Sequence, residues 1–151
     1  MTPMKTNRQL ALLAVLALAA VACSAAPTVS QGASASAKST AALVMKAWAS
    51  GDSADIEAVY ATDVRMILDT DTLASDREEI AGVITEAIGI GNTYEQVGPV
   101  AEYVAADGDT YIATVVKVTG IGHPSGVPVV GFYRVRDGKV IRHVFMDAEH
   151  Y

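Results

Sequence analysis

His143 and Asp147 are the residues of this sequence best suited to proton transfer. A neutral histidine accepts a proton near neutral pH, and a carboxylate can hold or return one. Both fall in Lys139 to Asp147, a Val- and Phe-containing run that reads as a β-strand. Four residues along a strand separate two Cα atoms by about 13 Å. The two side chains therefore cannot bond as a dyad within that strand, and each needs its own partner. The plainer reading makes His143 a polar wall residue and has Asp147 bond a backbone amide or a helix end. Asp69-Thr70-Asp71 offers two carboxylates, but no nearby oxygen or histidine cluster completes a cation site, and the segment reads as a polar turn. Gly120 to Gly126 lacks the Lys-Ser/Thr ending and following helix of a phosphate loop, and reads as a β-connection. No cysteine pair, HExxH or GxSxG is present. Neither metal nor cofactor is expected.

The elements that must position these residues follow from periodicity. Ala41 to Ala49 reads as a helix, with Val44 and Trp48 four apart on one face, and Gly51 ends it. A second short helix starts near Ser53, with Ile56, Val59 and Tyr60 on its apolar side. Val64 to Leu68 is a short β-like run. Ser75 and Glu78 have capping-box spacing ahead of a third helix, which Ile80, Val83, Ile84, Ala87 and Ile88 continue and Gly89 and Gly91 stop. Tyr94–Ala105, Thr110–Thr119, Val127–Arg136 and Lys139–Asp147 then read as strands, with turn signals between them at Asp107-Gly108, Gly120 to Gly126 and Asp137-Gly138. Helices followed by an antiparallel meander predict an α+β domain.

Three stretches in this order resemble SnoaL-like proteins of the nuclear transport factor 2-like superfamily. They are Trp48-Ala-Ser-Gly51-Asp52 with Ile56 to Val64, the helix from Asp76 to Ile88, and Gly131 to His143 with its Asp137-Gly138-Lys139 turn. The resemblance implies a cone-shaped, curved antiparallel sheet wrapped around three N-terminal helices, with a pocket opening between them. Members include ketosteroid isomerases, polyketide cyclases, dehydratases, epoxide hydrolases and proteins without catalysis, so the fold does not select among them. The isomerase pattern's first acid falls on Leu68, its phenol on Val44 and its second acid on Gly131, all apolar or empty here. Asp69, one residue beyond Leu68, belongs to the opposite face if the strand continues. The cyclases' acid after a His-Trp pair is also missing, since Val144 and Phe145 follow His143.

The facing of the last strand depends on whether Asp137-Gly138 forms a two-residue turn or closes a three-residue loop with a bulge. The bulged loop agrees with the family's facing pattern and sets Tyr133 beside Ile141 and Gly131 beside His143. It points Tyr133, His143, Phe145 and Asp147 inward, with Trp48 and Tyr60 approaching from the helices. A two-residue turn would reverse the last strand's side chains. The expected ligand-binding set is Trp48, Tyr60, Leu68, Tyr133, His143 and Phe145. Val130, Phe132, Val144 and Met146 then face outward beside Arg134 and Arg142. Such an exposed apolar patch, together with the resemblance, points to a homodimer.

The first forty residues have another character. Lys5 and Arg8 precede a run from Leu10 to Ala22 made only of Leu, Ala and Val. Its 13 residues are short of the roughly 20 a membrane span requires and fit the core of a signal peptide. The sequence Ala20-Val21-Ala22-Cys23 resembles a bacterial lipobox, and Cys23 is the sole cysteine. This predicts a signal peptide over 1–22, a lipidated Cys23 with a flexible tether over 23–39, and a SnoaL-like domain over 40–151. The alternative is an ordinary signal peptide cut near Ala22 or Ala26. Loss of Lys5 and Arg8 with residues 1–22 takes the net charge from −6 to −8. That argues against a nucleic-acid partner. The expectation is an extracytoplasmic domain, anchored to the bacterial cell envelope, that binds a small hydrophobic or amphipathic molecule. The alternatives are a proton-transfer enzyme using His143 or Asp147 and a structural dimerisation module of an envelope complex.

Overall fold

The computed structural model describes residues 32–147. They form α1 (Ala35–Ser50), α2 (Ser53–Val59), β1 (Tyr60–Leu68), β2 (Asp71–Ala74), α3 (Arg77–Gly89), β3 (Thr93–Gln96), β4 (Ala101–Val104), β5 (Thr110–Gly120), β6 (His123–Arg136) and β7 (Lys139–Asp147). Residues 1–22 and Cys23 lie outside the described residues.

The first helix begins six residues before the expected Ala41, so the stretch expected as tether is helical from residue 35. Ser34 caps it by accepting the Ala37 N–H, and Ser34 itself donates twice to the Glu102 carboxylate, at 2.6 and 2.9 Å. Ala33, Ala37 and Ala41, four apart, are buried. Alanine carries little hydrophobic signal, yet it is the strongest helix former and lets the helix lie close to the sheet. Gly51 ends α1 at φ +65°, and a Cβ there would meet Ile88 Cδ1 at 2.9 Å. Asp52 then caps α2 by accepting the Ala54 N–H. The cap of α3 is Asp76, whose carboxylate accepts the Glu79 N–H, while Glu79 accepts the Ser75 N–H. The expected Ser75–Glu78 box is thus displaced by one residue onto a pair with the same spacing.

Tyr60 is not on the second helix. It takes extended dihedrals directly after Val59 and opens β1, with its side chain fully buried. The sheet is open and mixed, in the order β2-β1-β7-β6-β5-β3, with β4 also on β5. The expected antiparallel pairing holds everywhere except between β1 and β7, which run parallel. The expected strand Tyr94–Ala105 is divided, because β3 and β4 pair with successive parts of β5. Pro99, which has no N–H to donate, lies in the gap, where the amides of Val97 and Gly98 both reach Val115 O.

The last hairpin corrects the expected register. Arg136 pairs with Lys139, so Asp137-Gly138 is a two-residue turn, and both residues have positive φ (51° and 75°), as a type I′ turn requires. Tyr133 lies opposite His143, not Ile141, and Gly131 lies opposite Phe145, not His143. The register slips between Val135–Val140 and Arg134–Arg142, leaving Ile141 as an extra residue. That bulge restores the inward facing a plain two-residue turn would have reversed, and Tyr133, His143 and Phe145 are all buried. Lys139 donates from Nζ to the carbonyls of Glu57 and Ala58 at 2.8 and 2.7 Å, fastening the turn to the C-terminal end of α2.

Candidate functional site

The inner face of β7 places His143 beneath α1. Trp48 Nε1–H, which can only donate, donates to Tyr60 Oη at 2.9 Å, and Tyr60 Oη lies 2.8 Å from His143 Nδ1. The arrangement that uses every group has the Tyr60 hydroxyl donating to Nδ1, which leaves the imidazole proton on Nε2. Four aromatic rings enclose the imidazole. Tyr60 stacks at 5.9 Å between centroids, Tyr133 meets it edge-on at 4.7 Å, Phe145 lies at 4.1 Å and Trp48 at 5.9 Å. Burial drives the His143 pKa down from 6.5 to about 3, so the ring is neutral at physiological pH. Burial likewise raises the phenols of Tyr60 and Tyr133.

Above this cluster an apolar cleft of about 310 Å³ opens between helices and sheet. Trp48, Val83 and Ala87 line it from the helices, Leu68 and Leu73 from β1 and β2, and Tyr94, Val129 and Phe145 from the meander. Trp48 and Phe145 belong to both regions and form the floor of the cleft. Trp48 packs edge-on against Tyr94 at 4.7 Å and Phe145 at 5.3 Å.

Of the expected ligand-binding set, Trp48, Leu68 and Phe145 line the cleft, whereas Tyr60, Tyr133 and His143 lie behind it. Asp147 pairs with Val129 through its backbone, and its side chain is outside the described residues. The isomerase-pattern positions hold no acid or phenol. Val44 is in the core, Leu68 is on the rim, and a Cβ on Gly131 would meet Tyr133 Oη at 2.8 Å.

Sequence reasoning missed Asp69, Leu73, Tyr94 and His123 as lining residues. For Asp69 the error was to continue the strand alternation. The chain leaves β1 there at φ +51°, its N–H donates to Phe145 O at 2.8 Å, and it joins Leu68 at the cleft. His123 was assigned to a connection, but β6 starts with it and carries it to the rim. Neither a positive φ, as at Asp69, nor a strand that begins inside a Gly-rich stretch, as at His123, can be read from alternation alone.

No curated protein sequence matches the chain. Among solved structures, a Sinorhizobium meliloti protein named as a polyketide cyclase is 15% identical, covering 71% of this chain and 93% of its own with a TM-score of 0.57. An M. tuberculosis LEH-like epoxide hydrolase is 15% identical over 76% and 84% of the two chains, at a TM-score of 0.57. An NTF2-like protein of unknown function from Cytophaga hutchinsonii is 6% identical over 76% and 91%, at 0.57. At these identities the likeness concerns the fold. The SnoaL-like domain model matches residues 41–143, most of the chain and all but the ends of the folded part, and the protein belongs to the SnoaL-like family with the nuclear transport factor 2-like fold.

Proposed function

We propose that this chain binds a small hydrophobic or amphipathic molecule in the cleft between its helices and sheet, without turning it over. The observation that carries this reading is the cleft itself, with mainly aromatic and aliphatic walls, Asp69 and His123 as its polar lining residues, and a floor of Trp48 and Phe145. Two features support binding over turnover. The isomerase-pattern positions are filled by Leu68, Val44 and Gly131. His143, the histidine offered as a base, is buried and has a pKa near 3, too low to take a proton effectively at neutral pH. Native mass spectrometry of the purified protein incubated with cell-extract metabolites tests the reading. A retained, unaltered apolar molecule is the expected result, and a chemically altered one would replace binding with catalysis. Isomerisation of a Δ5-3-ketosteroid is expected to be absent. Turnover that survives alanine at both His143 and Asp147 would place chemistry elsewhere in the cleft.

The reading includes export and anchoring through an acyl chain on Cys23, supported by the basic start, the Leu10–Ala22 run and the unique cysteine after Ala22. Cys23→Ala is expected to release the protein from the membrane fraction or to leave the precursor uncleaved. Normal processing with unchanged membrane retention would refute the anchor. It also includes a second copy of the chain as partner, through the outer face of the sheet.

A further inference from the structure

The outer face of the sheet carries a row of like charges. Arg65 on β1 lies opposite Arg142 on β7, and Arg142 lies opposite Arg134 on β6. The row continues through Tyr111 on β5 to Tyr103 on β4. At about 4.8 Å between strands it is about 19 Å long. Arg65, Arg142 and both tyrosines are exposed. Arg134 stands over the Tyr111 ring, 5.5 Å from its centroid, and pairs with Asp109 and Asp107. Among the described residues, neither Arg65 nor Arg142 has a carboxylate in an ion pair. Like charges directly opposite each other destabilise a sheet, so an arginine flanked by arginines on both sides is suited to an anion from outside. Beside Arg65, a depression of about 400 Å³ adds Arg136 and Lys139, with Asp63 and Asp137 between them.

This row lies where the chain leads back to Cys23. Ser36, Ala37 and Thr40, in the first turns of α1, share a small cavity with Asp137 and Gly138 of the hairpin turn. Ser34 is held by Glu102, the neighbour of Tyr103 on β4. Ten residues separate Cys23 from Ser34, and a chain of that length reaches at most about 40 Å. A lipid on Cys23 therefore keeps this end of the sheet within reach of the bilayer surface. The helices carry the opposite charge. α2, α3 and their caps hold seven carboxylates and one base, Arg77. An anionic surface repels that layer and attracts the arginine row.

We propose that the row docks on the surface of the bilayer that holds the Cys23 anchor, with Arg65 and Arg142 on the phosphates of anionic phospholipid and Tyr103 and Tyr111 at head-group level. Guanidinium forks match phosphate oxygens, and tyrosine favours the membrane–water interface. The inference rests on the anchor reading and adds an orientation, in which the cleft, on the helix side of the sheet, stays open to water. The apolar strip of Val130, Phe132, Val144 and Met146 lies toward the other end of the strands. Docking and a second copy thus engage different residues.

The test supplies the anchor chemically. Cys23 is the sole cysteine, so N-tetradecylmaleimide puts one chain of myristoyl length on the protein from Cys23 to Tyr151, which holds every described element. A single such chain gives marginal, reversible binding, so a second attachment is measurable. Partition is read by flotation with vesicles of phosphatidylcholine, alone or mixed with phosphatidylglycerol. Phosphatidylglycerol is expected to raise partition about ten- to thirty-fold at low salt, and molar salt to erase the gain. Arg65→Gln and Arg142→Gln are each expected to lower it about five-fold, and together to erase it. Their urea midpoint is expected to stay or rise, because like charges are removed. Lys46→Gln with Arg77→Gln, which removes the same charge elsewhere, is expected to keep the gain. Equal partition into the two vesicle types overturns the docking, as does a gain that survives the double arginine variant or is lost equally in the Lys46 and Arg77 variant. Loss of a dimer mass in the double arginine variant, without any vesicle preference in the parent, would instead assign the row to a second copy. None of these outcomes touches the anchor, whose own test is membrane retention of Cys23→Ala.

Discussion

His143 lies in an aromatic enclosure formed by Trp48, Tyr60, Tyr133 and Phe145, and the polar contact given to it is the hydroxyl of Tyr60. Its pKa of about 3 lies below the 6.5 of an unfolded chain, so between these values the unfolded state binds more protons. Stability is therefore present in full above pH 6.5 and declines as the pH falls, by at most about 1.4 kcal/mol per pH unit. Urea denaturation from pH 7 to pH 4.5 is expected to show this slope, and His143→Phe to flatten it. A slope unchanged in the variant would assign the pH dependence to another group. Tyr60 is coupled to the same ring. Tyr60→Phe strands the Trp48 N–H and removes the donor to Nδ1, and is expected to cost about 2–4 kcal/mol in urea denaturation at pH 7. A loss below about 0.5 kcal/mol would mean that water replaces the hydroxyl.

Among the elements, the β6–β7 hairpin decides what the inner face presents. Its I′ turn at Asp137-Gly138 sets one facing, and the extra residue Ile141 resets it before His143. Deleting Ile141 either turns His143 and Phe145 to the outer face or forces the strand to slip on β6. The expected outcome is loss of dispersed amide resonances, whereas a folded protein with an intact Trp48–Tyr60–His143 bond would show that the bulge is dispensable. The same hairpin is held at two further points. Lys139 binds the last carbonyls of α2, and Asp109, buried before β5, receives Arg134 and Arg136 from β6. The two guanidinium groups hold the Asp109 carboxyl below its ordinary pKa, Arg136 contributing most. Lys139→Ala is expected to lower stability by about 0.5–1 kcal/mol, read as a shift of the urea midpoint.

For the molecule as a whole, the outer face of the sheet is the surface of the proposed dimer. Phe132 is 40% exposed there, and Val130, Val144 and Met146 are partly exposed beside it. Arg134, beside them, is engaged by Asp109 and Asp107 within its own chain. The dimer proposal thus rests on the apolar strip itself. Sedimentation of Cys23→Ala protein at tens of micromolar is expected to give a dimer mass, and Phe132→Glu a monomer. Monomer mass in both would refute the dimer.

The sequence by itself determined the three helices, the long strands, the α+β order and the family likeness, but not β2, the division of Tyr94–Ala105 or the extended state of Tyr60. Those signals are local: glycines that stop helices, capping carboxylates, apolar period and the Asp-Gly turn. It also named Trp48, Tyr60, Tyr133, His143 and Phe145 as belonging together, the facing of the last three taken from the family likeness. Only the tertiary structure decided which of them meet the cleft and which lie behind it. A bulge at Ile141 leaves no mark in residue type, because any side chain can be the unpaired one. The left-handed turn at Asp69 breaks strand alternation within one residue. The early start of α1 hides among alanines, whose burial depends on a sheet laid against them from sixty or more residues away. Pairings of that range, the parallel β1–β7 contact included, are set by packing across the whole core, which no local pattern encodes.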